Sequence, residues 1–181
     1  MSYQIDLSAK YNNIIYRSST TRSDLENLPQ SLHGVRNIHI IDKKMDNLKC
    51  FGIDFKFIYS NKYDNISCDG EIILIPNNVF KSISFLGFSE MGTICDDVII
   101  QTKTERIKIP LVLKTIHTDN IKGIDDVGPN SNCKEAFACL GDDGQKHYIY
   151  FWEYVFEEEH AIKNIKLPVN RALHIMAITL K

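Results

Sequence analysis

The sequence predicts an all-β domain of about nine or ten short antiparallel strands, arranged as a sandwich or a barrel. Three observations predict this class. Short runs of β-branched and aromatic residues alternate with polar turns along the chain. No segment has the longer period of an amphipathic helix. The strands after the polar stretch 115–143 are too few to form a core alone, so they must pair with earlier strands. We therefore expect one domain over residues 1–181.

Each strand follows from a run of residues with strand-like alternation or composition. The most informative run is 147–156, in which Tyr148, Tyr150, Trp152 and Tyr154 share one face, here called the aromatic row. The final run, 173–180, is apolar enough to be buried on both sides. The predicted strands are 5–13, 38–41, 50–59, 71–75, 80–88, 98–102, 107–113, 147–156, 162–168 and 173–180.

Two prolines and two regions refine this assignment. Pro76 ends the strand 71–75, and Pro110 places 107–113 at an edge or a bulge, because proline cannot donate to the ladder. In 50–59, apolar side chains from Phe51 onward fall on one side, which is typical of a half-buried strand. The stretch 115–143 is long and polar, as functional loops often are.

Composition excludes several classes of protein. The formal charge of -2 gives no basic excess for nucleic-acid binding, and no apolar run is long enough to span a bilayer. The first residues lack a basic and an apolar signal region, which predicts a cytoplasmic location. Five cysteines without paired spacing predict reduced, mostly buried thiols rather than a disulfide framework.

Motifs for catalysis are missing from the sequence. No nucleophile elbow, glycine-rich phosphate loop or C-x-x-C pair occurs, and His33 and His39 are too far apart for a cupin-like metal site. Adjacent carboxylates are most often solvated turns. Asp125 and Asp126 lie in the long polar stretch, however, and we expect them as ligands of a possible structural calcium ion, since calcium prefers carboxylate and carbonyl oxygens.

The aromatic row allows two interpretations. Tyrosine and tryptophan rings form faces on which sugar rings stack, with tyrosine hydroxyls as hydrogen-bond partners. On this interpretation Tyr150, Trp152 and Tyr154 are the ligand-binding residues. The alternative is that an aromatic strand in a sandwich belongs to the core. The two are distinguished by whether this face is covered.

Several loose motifs, in order along nearly the whole chain, resemble a galactose-binding-like β-sandwich attached to bacterial glycoside hydrolases. They are D-L-S-A-K-Y-N-N at 6–13, L-P at 28–29, F-G-I-D-F-K-F at 51–57, D-N-I at 64–66, F-K-S-I-S-F-L-G at 80–87 and I-K-N-I-K-L-P-V-N-R-A-L-H-I-M-A-I-T-L at 162–180. The resemblance implies an eight- or nine-stranded jelly roll without catalytic activity. The chain departs from the pattern at 17–22, which lacks glycine, and at 116–119, where the pattern has Asp-Trp.

The function predicted from the resemblance and the aromatic row is non-catalytic carbohydrate binding. A different class is a protein-interaction or structural module that forms a homodimer through an exposed face or edge strand. A small carbohydrate-active enzyme is the third hypothesis, and it requires two facing carboxylates that the sequence does not show.

Overall fold

The computed structural model describes residues 2–13, 15, 38–39, 48–57, 63–116, 133–141 and 146–181. Within these ranges the chain forms eleven strands and one short 3-10 helix, Ser8–Lys10. The strands are β1 (Tyr3–Gln4), β2 (Ile38–His39), β3 (Leu48–Cys50), β4 (Ile53–Phe55), β5 (Ile66–Asp69), β6 (Ile72–Ser89), β7 (Ile94–Thr102), β8 (Arg106–Leu113), β9 (Lys134–Gly141), β10 (Lys146–Lys166) and β11 (Val169–Leu180).

All strand pairs in the described residues are antiparallel. The central order is β1-β11-β6-β10-β7-β8, with β5 also paired to β11, β9 to β10, and β2 to β9. A separate hairpin joins β3 to β4. The late strands β10 and β11 thus pair with the earlier β6 and β7, as the shortage of strands after residue 143 requires.

Two irregularities divide the long strands β6 and β10 into halves. Val155 pairs with Ser82, but the next pair is His160 with Phe80, so β10 carries extra residues there. A second shift lies beside Pro76, where β6 has the extra residues. Bulges bend strands and increase their twist. The first half of β10 and the second half of β6 therefore pair with β9 and β11, whereas the other halves form a four-stranded layer with β7 and β8.

The sheet is covered on both faces where the second half of β6 and the first half of β10 lie beside β11, which gives a β-sandwich. On one side the β3–β4 hairpin packs against β10 and β11: the rings of Phe55 and Phe151 meet edge to face at 6.2 Å, and Thr179 Oγ1 donates to Asp54 O at 2.8 Å. On the other side Leu113 of β8 lies against Gly87 of β6. The buried apolar side chains form one cluster.

The fold class predicted from the sequence, an all-β sandwich of antiparallel strands, is confirmed. Burial of the final strand on both faces is also confirmed, because every residue from Ala172 to Leu180 is buried. Pro110 lies on β8, the last strand in the sheet order of the described residues, which confirms the edge position among them.

The predicted strand 50–59 was wrong in its first residues. Phe51 and Gly52 form the turn of the β3–β4 hairpin, with φ values of 49° and 79°. Two central residues with positive φ are typical of the tight turns that match strand twist. Phe51 is consequently 55% exposed, while Ile53, Phe55 and Phe57 are buried as predicted.

Two other strand boundaries were also wrong. Pro76 does not end a strand at residue 75, because β6 continues through it to Ser89. The proline is accommodated at the register shift, where a ladder hydrogen bond is already missing. The run 5–13 is not a strand either. Asp6 Oδ1 accepts hydrogen bonds from the backbone N and the hydroxyl of Ser8, and this local turn starts the 3-10 helix.

The four cysteines whose side chains are described are free thiols, and three of them are buried. Burial raises the pKa of Cys50 and of Cys133 to about 11, and the pKa of Cys68 also lies well above its usual value. A pKa two units higher leaves roughly 100-fold less thiolate at pH 8. We expect native-state alkylation followed by peptide mass spectrometry to modify the exposed Cys95 before these three. Fast labelling of Cys68 would contradict the packing of β5.

Candidate functional site

The aromatic row lies inside the sandwich. Tyr150 is 6% and Trp152 3% exposed, and Tyr154 is half-buried. The Trp152 ring lies 5.8 Å from the ring of Phe85 and 6.2 Å from that of Tyr154. A sugar can stack only on a ring face that solvent reaches, so this burial counts against stacking on Tyr150 and Trp152. The ligand-binding role of the three residues stays a prediction.

The other predicted ligands, Asp125 and Asp126, lie outside the described residues. In the parts of the chain that the structure does describe, no three His, Cys, Asp or Glu side chains come together in an arrangement that would hold a metal ion.

A polar cluster is buried where β5, β6 and β11 meet. Its residues are Asn13, Asp64, Asn65, Ser89, Glu90 and His174. His174 Nδ1 lies 2.8 Å from Asn65 Oδ1, and its Nε2 lies 3.0 Å from Glu90 Oε1. The His174 ring stacks on Phe88 at 4.6 Å. Glu90 and His174 side chains are each 1% exposed, so this contact is shielded from solvent.

A second candidate site is the outer surface of the four-stranded layer, here called the outer face. Pairing places its residues in two rows across the strands, because directly opposed residues share a face. One row is Ile72, Lys166, Ile99 and Lys108, and the other is Leu74, Asn164, Gln101 and Arg106. Leu74 is 78% and Ile72 49% exposed.

The apolar area extends beyond these rows at one corner. Val169, 72% exposed, lies beside Lys166, since atoms of both side chains approach the Cβ position of Gly70, at 3.1 and 3.6 Å. Charges of both signs surround this area. Lys108 pairs with Asp97 at 2.8 Å on the β8 side, and Glu71 precedes β6 at the opposite edge. The outer face is thus apolar along β6 and at the Val169 corner, and polar or charged towards β8.

Neither candidate was recognised in the sequence, for different reasons. Ile72 to Ile75 are four consecutive aliphatic residues, so alternation does not reveal that Ile73 and Ile75 are buried while Ile72 and Leu74 point outward. His174 stands in the apolar run that predicts a buried strand. A histidine inside such a run is the one available signal, because a buried imidazole needs polar partners.

The antiparallel layers and the shared core define a protein of the β-sandwich class. The chain belongs to the AziU2-like beta-sandwich domain family, whose model matches residues 2–181. No curated protein matches the chain. The finer resemblance, to galactose-binding-like accessory domains and their jelly roll, stays a prediction. Among the described residues no helix has the length and apolar character needed to cross a membrane.

Proposed function

We propose that this protein is a non-catalytic interaction module that forms a homodimer through the outer face. The observation that supports this is the joint exposure of Leu74 and Ile72 on β6, at one side of a regular four-stranded surface. Single exposed aliphatic residues are ordinary, but neighbouring ones with a polar rim are typical of association surfaces. Carbohydrate binding has less support, because the aromatic rings proposed for stacking are mostly covered.

A second copy of the chain fits the charges of this face. Glu71 lies at the β6 edge and Arg106 on β8, three strand spacings or about 14 Å away. A two-fold axis through the middle of the face makes an isologous interface, in which each protomer presents the same patch. Such an axis, running along the strands, places the β6 edge of each protomer, with Glu71, Ile72 and Leu74, over the β8 edge of the other.

The first test replaces Leu74 by lysine and measures the molar mass by light scattering over a wide range of protein concentrations. Burying an unpaired ammonium group in an interface is costly, so we expect Leu74→Lys to remain monomeric where the wild type dimerises. Val155→Lys is the matched control, since Val155 is 58% exposed but pairs with Ser82, in the halves of β10 and β6 that do not form the outer face. It should dimerise as the wild type does. A wild type that stays monomeric at every concentration would refute the proposal.

Charge exchange tests the two-fold arrangement itself. We expect Glu71→Arg and Arg106→Glu each to weaken the dimer by placing like charges opposite one another, with a cost of about 1 kcal/mol at an exposed rim. The double variant should recover much of this loss. Thermal unfolding of each variant, measured in dilute solution, controls for the hydrogen bonds that Glu71 and Arg106 make within the protomer. If the two losses simply added in the double variant, Glu71 and Arg106 would not face each other across the interface.

A further inference from the structure

The side chains of Glu90 and His174 make a buried contact that the outer face does not involve. Glu90 follows β6 and His174 lies in β11. Their oxygen and nitrogen lie 3.0 Å apart. The backbone N of Glu90 also donates to Ala172 O at 2.9 Å, so the two strands are joined at this point by main chain and side chain.

The hydrogen bonds of the cluster fix which ring nitrogen of His174 carries a hydrogen. Asp64 Oδ1 lies 2.7 Å from the Asn65 side-chain nitrogen and accepts a hydrogen bond from it. The Asn65 amide therefore turns its oxygen towards His174 Nδ1, at 2.8 Å. An amide oxygen only accepts, so Nδ1 must be the donor.

This assignment leaves Nε2 facing a carboxylate. A neutral ring with its hydrogen on Nδ1 has a lone pair on Nε2, and an ionised Glu90 has only lone pairs on its oxygens. Neither Glu90 oxygen nor His174 Nε2 has another hydrogen-bond partner among the described residues. Two buried lone pairs 3.0 Å apart repel each other, and the contact becomes attractive only when a proton lies on one of the two groups.

We propose that the folded protein holds one proton on the Glu90–His174 pair, which makes the pair a pH-dependent clasp between β6 and β11. The proton resides either on the imidazole, opposite a carboxylate, or on the carboxyl, opposite a neutral imidazole. Both forms carry no net charge and satisfy the contact. Loss of the proton restores the repulsion and weakens the junction from which the turn to β7 departs.

Three charged residues belong to the segments around the pair, namely Asp64, Arg171 and Lys114. Asp64 acts from beyond the Asn65 amide. Arg171, on the same strand, forms an ion pair with Asp69 at 2.6 Å, with both side chains well exposed. Lys114 contributes the backbone oxygen that accepts from Ser89 N, and its ammonium group acts on Cys133. The remaining nearby charge, Asp64, is negative and favours the protonated state of the pair.

The sign of the pH dependence follows from counting protons. In an unfolded chain histidine releases its proton near about pH 6.5 and glutamate near about pH 4.3. Between these values the unfolded chain also carries one proton on the two groups, so the pair does not make the folding equilibrium depend on pH. Above about pH 6.5 only the folded state carries it, and the folding equilibrium constant falls up to tenfold for each further pH unit.

The test compares urea unfolding of the wild type and Glu90→Gln between about pH 6.5 and pH 9. A glutamine amide donates to a lone pair on Nε2 without an extra proton. The folding constant of the wild type divided by that of Glu90→Gln should therefore fall as the pH rises. Glu105→Gln is the control: Glu105 lies 3.9 Å from His160 Nδ1 but is 55% exposed, and its ratio to the wild type should stay constant. A constant ratio for Glu90→Gln would overturn the proposal.

A second measurement keeps the proposal testable if Glu90→Gln does not fold. Carbon and nitrogen NMR of the labelled wild type at about pH 8 reports the Glu90 carboxyl and both His174 nitrogens. We expect one proton in total on Glu90 and Nε2, with Nδ1 protonated. An ionised Glu90 beside an unprotonated Nε2 would overturn the clasp.

Discussion

Gly87→Ala is expected to lower the free energy of unfolding by about 3 kcal/mol, the upper end of the cost of overpacking. A Cβ atom at residue 87 would lie 2.2 Å from the backbone oxygen of His174 and 3.0 Å from Leu113 Cδ1. The first of these atoms is main chain in the neighbouring strand β11, so it cannot move by a change of rotamer. The ladder between β6 and β11 must shift, and urea unfolding at one pH measures the cost.

Gly52→Ala is the control for the general effect of replacing a glycine. Gly52 has a φ of 79°, but no atom lies within 4 Å of its Cβ position. Its replacement should cost about 1–2 kcal/mol from backbone strain alone. If Gly87→Ala were no more destabilising than Gly52→Ala, β6 and β11 would not approach each other at this point as closely as the structure shows.

The importance of Gly87 was not predictable from the sequence. Strand 80–88 was predicted correctly as a strand, but its glycine had no distinct signal there. The close approach arises from register: Gly87 pairs with Ile175 and Leu86 with Ala177, which leaves Met176 as an extra residue in β11. Register depends on the partner strand and on bulges, and the local residue pattern predicts neither of them.

Local patterns predicted most of the strands but not their surroundings, and they missed β9, which lies within the stretch 115–143 that was predicted to be a long loop. Trp152 and Tyr154 stack on each other and so share a face, as the alternation predicted, and the apolar final strand was predicted correctly. Alternation shows that two faces differ, but it does not show which face is covered. The β3–β4 hairpin on one side and β8 on the other decide this, and both are distant in sequence from β10. For the same reason, the sequence did not reveal the outer face or the contact between Glu90 and His174.

Trp152→Ala is the second substitution with a large expected effect. Trp152 is 3% exposed and packs against Phe85 and Tyr154. Removing a buried tryptophan side chain costs about 3–5 kcal/mol, because burial is lost and a cavity remains. In a domain of this size the melting temperature should fall by roughly 10 °C. Val155→Ala, three residues along the same strand at an exposed position, should change stability by less than about 0.5 kcal/mol.

The same residue separates the core interpretation of the aromatic row from carbohydrate binding. The chain has one tryptophan, so its intrinsic fluorescence reports Trp152 alone. With the ring buried, we expect a soluble quencher to reach it in the unfolded chain but hardly in the native protein, and a panel of sugars to leave the native emission unchanged. A sugar that shifts the emission and also raises the melting temperature would show that a bound ligand acts at the row. That result would favour carbohydrate binding. It would also mean that the Trp152 ring, which packs against Phe85 and Tyr154, becomes uncovered before a sugar stacks on it.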